Sequence, residues 1–360
     1  MNRVHVALLV LLRAGLWEQR TEDLSCFPLS VEEWKSLYLL SRQQTVTGIV
    51  FQGIQYLPEG LLPPDGVLVR WMAETDAIER KNMRMDRILE SLVEWFADSG
   101  VYPVLQKGQG IARLYEKPLL RECGDIDFYF NSRRMFEKAY SLVHQCNLHE
   151  KIQADQSVVY TWKGVEVEHH LRLLDLYNPF LQRYTGRLEQ EYGYAHMSLK
   201  AGIDVAIPSP MLNLLLQSLH ILKHALGWGI GLRQLCDMAR SCYKLHDEVD
   251  SEEIKKITLR LGMGKWNRLL HAFLVEHLGV PAACLPYREM ALESSPLLDI
   301  VWRGGNFGQY VSGHKRSIRS SLADKWQTTC AFRRNAGFVF QYAFSEGFWM
   351  FSSLLKGQIK

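Results

Sequence analysis

Apolar positions along the chain change period twice. Up to about residue 99 they recur at helical spacing, from there to about 205 short runs alternate, and beyond Pro208 and Pro210 the helical spacing returns. The pattern predicts a helix over residues 3–15, a second opened by Ser30 as N-cap with Glu33 at the capping-box position, and a third across Thr45 to Leu57. The proline-rich stretch Leu57–Pro64 then breaks the run. On the long helix that follows, Met85, Ile88, Leu89, Leu92 and Phe96 form the core stripe, and the charges from Glu74 to Arg87 form its solvated face. Val101–Leu105 reads as a strand, Lys107-Gly108-Gln109-Gly110 as a tight turn, Ile111–Glu116 as a short helix and Gly124–Phe130 as a second strand. Asn131 or Ser132 caps a helix through Cys146, and Val158–Trp162 and Val165–Leu171 form a hairpin turning at Lys163-Gly164. Leu212, Leu215, Leu216 and Leu219 mark a further helix, Gly227, Gly229 and Gly231 a turn before the next, and two amphipathic helices follow between Glu252 and Leu278. Towards the end, Gly304-Gly305-Asn306-Phe307-Gly308 marks a loop, while Trp302, Trp326, Phe338, Phe344, Trp349 and Phe351 read as core or partner surface. The sum is an α+β fold: a small mixed β-sheet at 99–205 with helices packed on one side, flanked by an N-terminal helical region, 1–98, and a C-terminal one, 206–360.

The chemistry concentrates in GDIDFYF. Side chains alternate across a strand, so Asp125, Asp127 and Tyr129 share one face and Ile126, Phe128 and Phe130 the other. With the apolar face inward, the two carboxylates stand about 7 Å apart at their Cα atoms, close enough to grip one or two divalent cations between them. The competing reading is an edge strand with a solvated acidic face. Upstream, Lys107 supplies a point charge, and backbone N–H groups at the glycine turn can hold phosphate oxygens. Downstream, Glu166, Glu168 and His170 point to one side of their strand and Val165, Val167 and His169 to the other, so a third carboxylate can join the first two.

Composition narrows the partners. With 360 residues, 47% hydrophobic and 22% charged, the chain can bury a substantial core. A net charge of +3 and no dense basic run interleaved with aromatics give no strong nucleic-acid signal. Seven scattered cysteines without a Cys-x-x-Cys pair fit reduced thiols in the cytoplasm, with Cys123 a buried neutral thiol. The apolar run Val4–Leu12 is too short to span a bilayer and lacks a cleavage site; it reads as an amphipathic helix, and no membrane span is expected. His220 and His224 lie four apart but lack the glutamate of a metalloprotease helix, and read as structural or surface residues, with a nucleotide contact as the alternative. Arg233 and Asp237 have the spacing of a surface ion pair. Arg240 and His246 have the R-x5-H spacing of some small helical ribonucleases.

The glycine turn, GDID and a later strand with an acid resemble the nucleotidyltransferase superfamily of DNA polymerase β type. More narrowly, Lys107, Gly108, Arg121 and Gly124–Asp127 form KG(x12)R(x2)GDID, which is similar to a bacterial family labelled uncharacterised nucleotidyltransferases. Glu168, His170, Arg172 and Leu173 match that family's E-L-H-W-R-L strand, and LRAGLW near the start and Gly231–Asp237 also look like it, so the resemblance covers roughly residues 5 to 280. It implies a Mg²⁺-dependent (or Mn²⁺-dependent) enzyme that moves a nucleoside monophosphate from a nucleoside triphosphate to a hydroxyl of an unidentified acceptor, which could be a small molecule, sugar, protein or RNA. In that reading Asp125, Asp127 and Glu168 are catalytic and hold the metal. Lys107, Gly108, Gln109, Arg121, Gly124, His170 and Arg233 surround the nucleotide. Gly108-Gln109 stands where the superfamily has Gly-Ser, so Lys107, Gln109 or backbone N–H groups must replace the serine. That departure motivates the alternative of a catalytically inactive nucleotide-binding or regulatory module; a helical ribonuclease is the third reading.

Overall fold

The computed structural model describes residues 1–21, 23–153, 155–199, 202–227, 229–288, 293–304 and 336–355. The expected loop at Gly305–Gly308 and Trp326 lie outside them.

The fold is α+β, built on one seven-stranded mixed sheet. Its strands are β1 (Val104–Gln106), β2 (Ile126–Tyr129), β3 (Lys151–Ile152), β4 (Val158–Trp162), β5 (Val165–His170), β6 (Tyr194–Ser198) and β7 (Asp204–Pro208), in the order β3-β4-β5-β2-β1-β7-β6. β2 runs antiparallel to β1 and parallel to β5, while β1 runs parallel to β7. The sheet is larger than expected, and helices cover both its faces. One face packs Leu105, Ile126, Phe128, Phe130, Val167, Val205 and Ile207 against the second half of α4 (Asp65–Asp98) and against α6 (Arg133–Gln145). His169 belongs to this layer, fully buried among Phe96, Phe128 and Phe130 with Nε2 3.0 Å from the Tyr160 hydroxyl. The opposite face meets α7 (Gln182–Tyr192) and α8 (Pro210–Leu226), whose leucines merge with those of the N-terminal helices into one core. The expected boundary between residues 205 and 206 falls inside β7.

The N-terminal helices are α1 (Arg3–Trp17), α2 (Val31–Gln43) and α3 (Thr47–Ile54). The capping box at Ser30 and Glu33 forms, with both reciprocal bonds present. α1 is not the one-sided amphipathic helix its sequence suggests: Ala7 to Leu12 are buried without a break, because α2 and α3 pack on one side and α11 (Gly264–Leu278) on another. α1 and α3 touch backbone to backbone, and a Cβ added at Gly53 would lie 1.9 Å from the Leu11 carbonyl oxygen. α5 (Gly108–Ala112) is a single turn after β1. α9 (Leu232–Leu245) and α10 (Ser251–Arg260) complete the C-terminal core, followed by α12 (Ser295–Gly304), a helix over 336–342 (α13) and α14 (Phe344–Leu355). α14 docks through Glu346, a buried carboxylate that accepts the backbone N–H groups of Tyr177 and Asn178 at 2.8 and 3.2 Å. Trp302 stacks on His5, and Phe338 meets Trp266, whereas Phe344 and Phe351 are exposed. No helix among the described residues is long and apolar enough to cross a membrane.

The α1–α3 contact gives a direct test. Gly53→Ala has to push two helices apart and should lower stability by about 1–3 kcal/mol or more in chemical denaturation; an unchanged midpoint would show that the crossing is looser than described.

Candidate active site

Register brings the acidic residues together. Asp127 pairs with Gln106 on β1 and with Glu168 on β5, so the two carboxylates sit on adjacent strands and on the same face. His170, two residues beyond Glu168, shares that face, and its Nε2 lies 2.9 Å from Asp127 Oδ1 and 3.8 Å from Glu168 Oε2. Ligand atoms of Asp127, Glu168 and His170 all fall within 4.8 Å of one another, an arrangement able to hold a metal ion. Glu168 is oriented by Ser157, whose hydroxyl donates to Oε1 at 2.6 Å. Lys107 completes the cluster with Nζ 3.1 Å from Asp127 Oδ1. Its backbone is held at φ 44°, ψ −141°, a strained conformation for a residue with a side chain, followed by Gly108 at φ 39°. This turn aims the lysine at the aspartates.

The charges are mutually dependent. Burial alone would push Asp127 up, but the Lys107 ammonium and the His170 hydrogen bond outweigh it and hold the carboxyl far below the usual carboxylate range. Asp125 is pushed up to about 6, first by the charge on Asp127 and then by burial. Burial would lower Lys107, yet Asp127, Asp125 and Glu168 raise it, so the ammonium stays charged.

Two cavities meet at Lys107 and His220. The first, of about 440 Å³, is lined by Lys107, Gly108, Gly124, Asp125 and Asp127 on the sheet side and by Lys81, Arg121, Arg233 and Gln217 on the helical side. The second, of about 340 Å³, contains Glu168, His170, Arg172, Lys223 and His224. Residues 30–279, which carry all of this, match the family described as uncharacterised nucleotidyltransferase. The chain belongs to that family. No curated protein and no solved structure matches it.

In this member of the family the remaining expected residues fall in different places. Gln109 is buried, is not among the residues lining the first cavity, and has no hydrogen-bond partner for either amide atom among the described residues. Arg121 does line it, but its guanidinium is bidentate to Asp237, with Nε to Oδ1 at 3.0 Å and Nη2 to Oδ2 at 2.5 Å. That corrects the surface ion pair expected between Arg233 and Asp237: Asp237 is buried, also accepts the Tyr115 hydroxyl at 2.7 Å, and serves Arg121. Arg233 instead faces the cavity and donates to the Glu122 carbonyl at 2.8 Å. His220 and His224 are half-buried and line the cavities, His220 both of them and His224 the second, and burial followed by the nearby Lys107 charge keeps both imidazoles neutral. Arg240 is 1% exposed and ties the carbonyls of Leu114 and Leu16, which leaves it committed to the core, far from a ribonuclease role beside the exposed His246.

Several positions around the candidate site carried no sequence signal. Lys81 and Asn82 lie on the charged face of α4 read as solvated. Yet Lys81 donates to the Cys123 carbonyl at 2.7 Å, and Asn82 donates to the Leu119 and Arg121 carbonyls at 2.7 and 2.8 Å, fixing the segment that leads into the aspartates. Ser157 was hidden at the start of a strand.

The raised Asp125 pKa has a stability consequence. Its folded value of about 6 exceeds its ordinary 3.8, so the folded chain binds the proton more tightly, and ionising Asp125 lowers stability as pH rises through that window. With metal removed by chelation, Asp125→Asn should therefore melt at a higher temperature than wild type at neutral pH, with the gap closing towards pH 4. Equal melting temperatures at neutral pH would contradict this electrostatic account.

Proposed function

We propose that this family member transfers a nucleoside monophosphate from a nucleoside triphosphate to an acceptor hydroxyl, with a divalent ion held by Asp125, Asp127 and Glu168. The observation that carries the reading is the convergence of these carboxylates with Lys107 on one face of the sheet, beside a cavity with further basic side chains. Such chemistry depends on placement and charge neutralisation more than on covalent catalysis. The ion, when bound, neutralises phosphate charge and favours the deprotonated acceptor hydroxyl.

The chain's own residues divide the work. The first cavity takes the nucleotide, with Lys107, Lys81 and Arg233 in reach of phosphate oxygens and Gly108 and Gly124 allowing close approach. Arg121 acts through Asp237, holding the segment before the aspartates in place. Glu168 faces the second cavity, so the acceptor hydroxyl enters from that side and gives up its proton towards this carboxylate. The acceptor is a small molecule, sugar, protein or RNA, with polynucleotide least favoured by the mild net charge. The free cysteines among the described residues support a reducing compartment, the cytoplasm.

The test is pyrophosphate release from each of the four nucleoside triphosphates, with Mg²⁺ or Mn²⁺ and fractionated acceptor pools. Asp127→Asn and Asp125→Asn should each cut turnover by about a hundredfold or more while the fold is retained. Turnover surviving in both single variants would sink the assignment.

A further inference from the structure

We propose that His170 is a direct nitrogen ligand of the divalent ion, added beside Asp127 and Glu168 to the carboxylate shell, and that this nitrogen makes the site prefer a first-row transition ion to Mg²⁺. The proposal rests on the transferase reading only for what the ion is used for; binding is a separate property.

The geometry carries the assignment. Atoms bound to one ion at about 2.1 Å from each lie roughly 3 to 4 Å apart. His170 Nε2 already stands 2.9 Å from Asp127 Oδ1 and 3.8 Å from Glu168 Oε2, so the three side chains can close on an ion with the strands unmoved. The placement follows from the parallel register, which sets Glu168 beside Asp127 and His170 beside Tyr129. Asp125 lines the first cavity with Arg233 and joins this compact group at the ion from that side.

A further observation points to a cation here. The Lys107 ammonium is drawn in to 3.1 Å from Asp127 and occupies the charge-compensating role that an ion would fill. The donor chemistry then sets the preference. Mg²⁺ favours an all-oxygen shell and keeps its waters, whereas an imidazole nitrogen binds transition ions more tightly. Glu168, steered by Ser157, and Asp127 provide the charge in either case.

The experiment titrates Mn²⁺ alone into the chelator-treated full chain and reads electron paramagnetic resonance with ¹⁴N hyperfine detection. The bound ion should show an imidazole nitrogen coupling, and Mg²⁺ should displace it only at roughly a hundredfold excess. His170→Gln should lose the coupling and bind Mn²⁺ about tenfold or more weakly. His170→Glu, which restores an all-oxygen set, should bind Mn²⁺ without the coupling and let Mg²⁺ displace it at a clearly smaller excess than in wild type. Absence of the coupling in wild type, its persistence in His170→Gln, or displacement by equimolar Mg²⁺ would overturn the proposal. A nitrogen-ligated ion without any nucleotide turnover would leave this assignment standing and remove the transferase reading, and turnover without nitrogen ligation would do the reverse.

Discussion

Asp127 is 4% exposed, and a charge held there is costly unless cations and hydrogen-bond donors surround it. Lys107 and His170 supply that compensation, and each depends on a different part of the chain. Lys107 is aimed by a strained turn at the end of β1, and His170 is delivered by the register between β2 and β5. Displacing either would leave a buried, unbalanced charge beside Asp125, which Asp127 already pushes towards its neutral form. The site thus draws positive charge towards Asp127, the property that the proposed metal-dependent nucleotide site requires.

The helical regions do more than cover the sheet. Glu122 accepts the Thr47 N–H at 2.8 Å, Asn82 holds two carbonyls of the preceding loop, and Asp237 on α9 grips Arg121. The segment 119–125 is therefore clamped from α3, α4 and α9 at once. A buried bidentate pair such as Arg121–Asp237 is strongly destabilising to break from one side, because the surviving charge is stranded. Clamping of this kind fixes where the aspartates emerge while leaving the cavity between sheet and helices open.

Local pattern was enough where the period is strict. Alternation in GDIDFYF and in Val165–His170 separated the chemical face from the core face correctly, down to the placement of His169 inside and Glu168 outside. The capping box at Ser30 and the Ser132 cap of α6 were equally readable. What could not be read is set by distant partners. Asp237 lies 116 residues from Arg121, so its i, i+4 neighbour Arg233 seemed the natural partner. α7 shows only Thr185 and Leu188 as buried residues, and β6 is partly exposed throughout, so neither has the apolar period that marks an element. α1 looked one-sided because a short apolar run says nothing about how many neighbours will enclose it.

Asp125 and Asp127, balanced by Lys107, are proposed as a metal-dependent nucleotide site. Calorimetric titration of wild type and the Asp125→Asn/Asp127→Asn double variant with each nucleoside triphosphate, with and without divalent metal, tests it most directly. At least one triphosphate should bind wild type only when metal is present, and the double variant should fail to bind it. No binding by any triphosphate, or equal binding by the double variant, would contradict it.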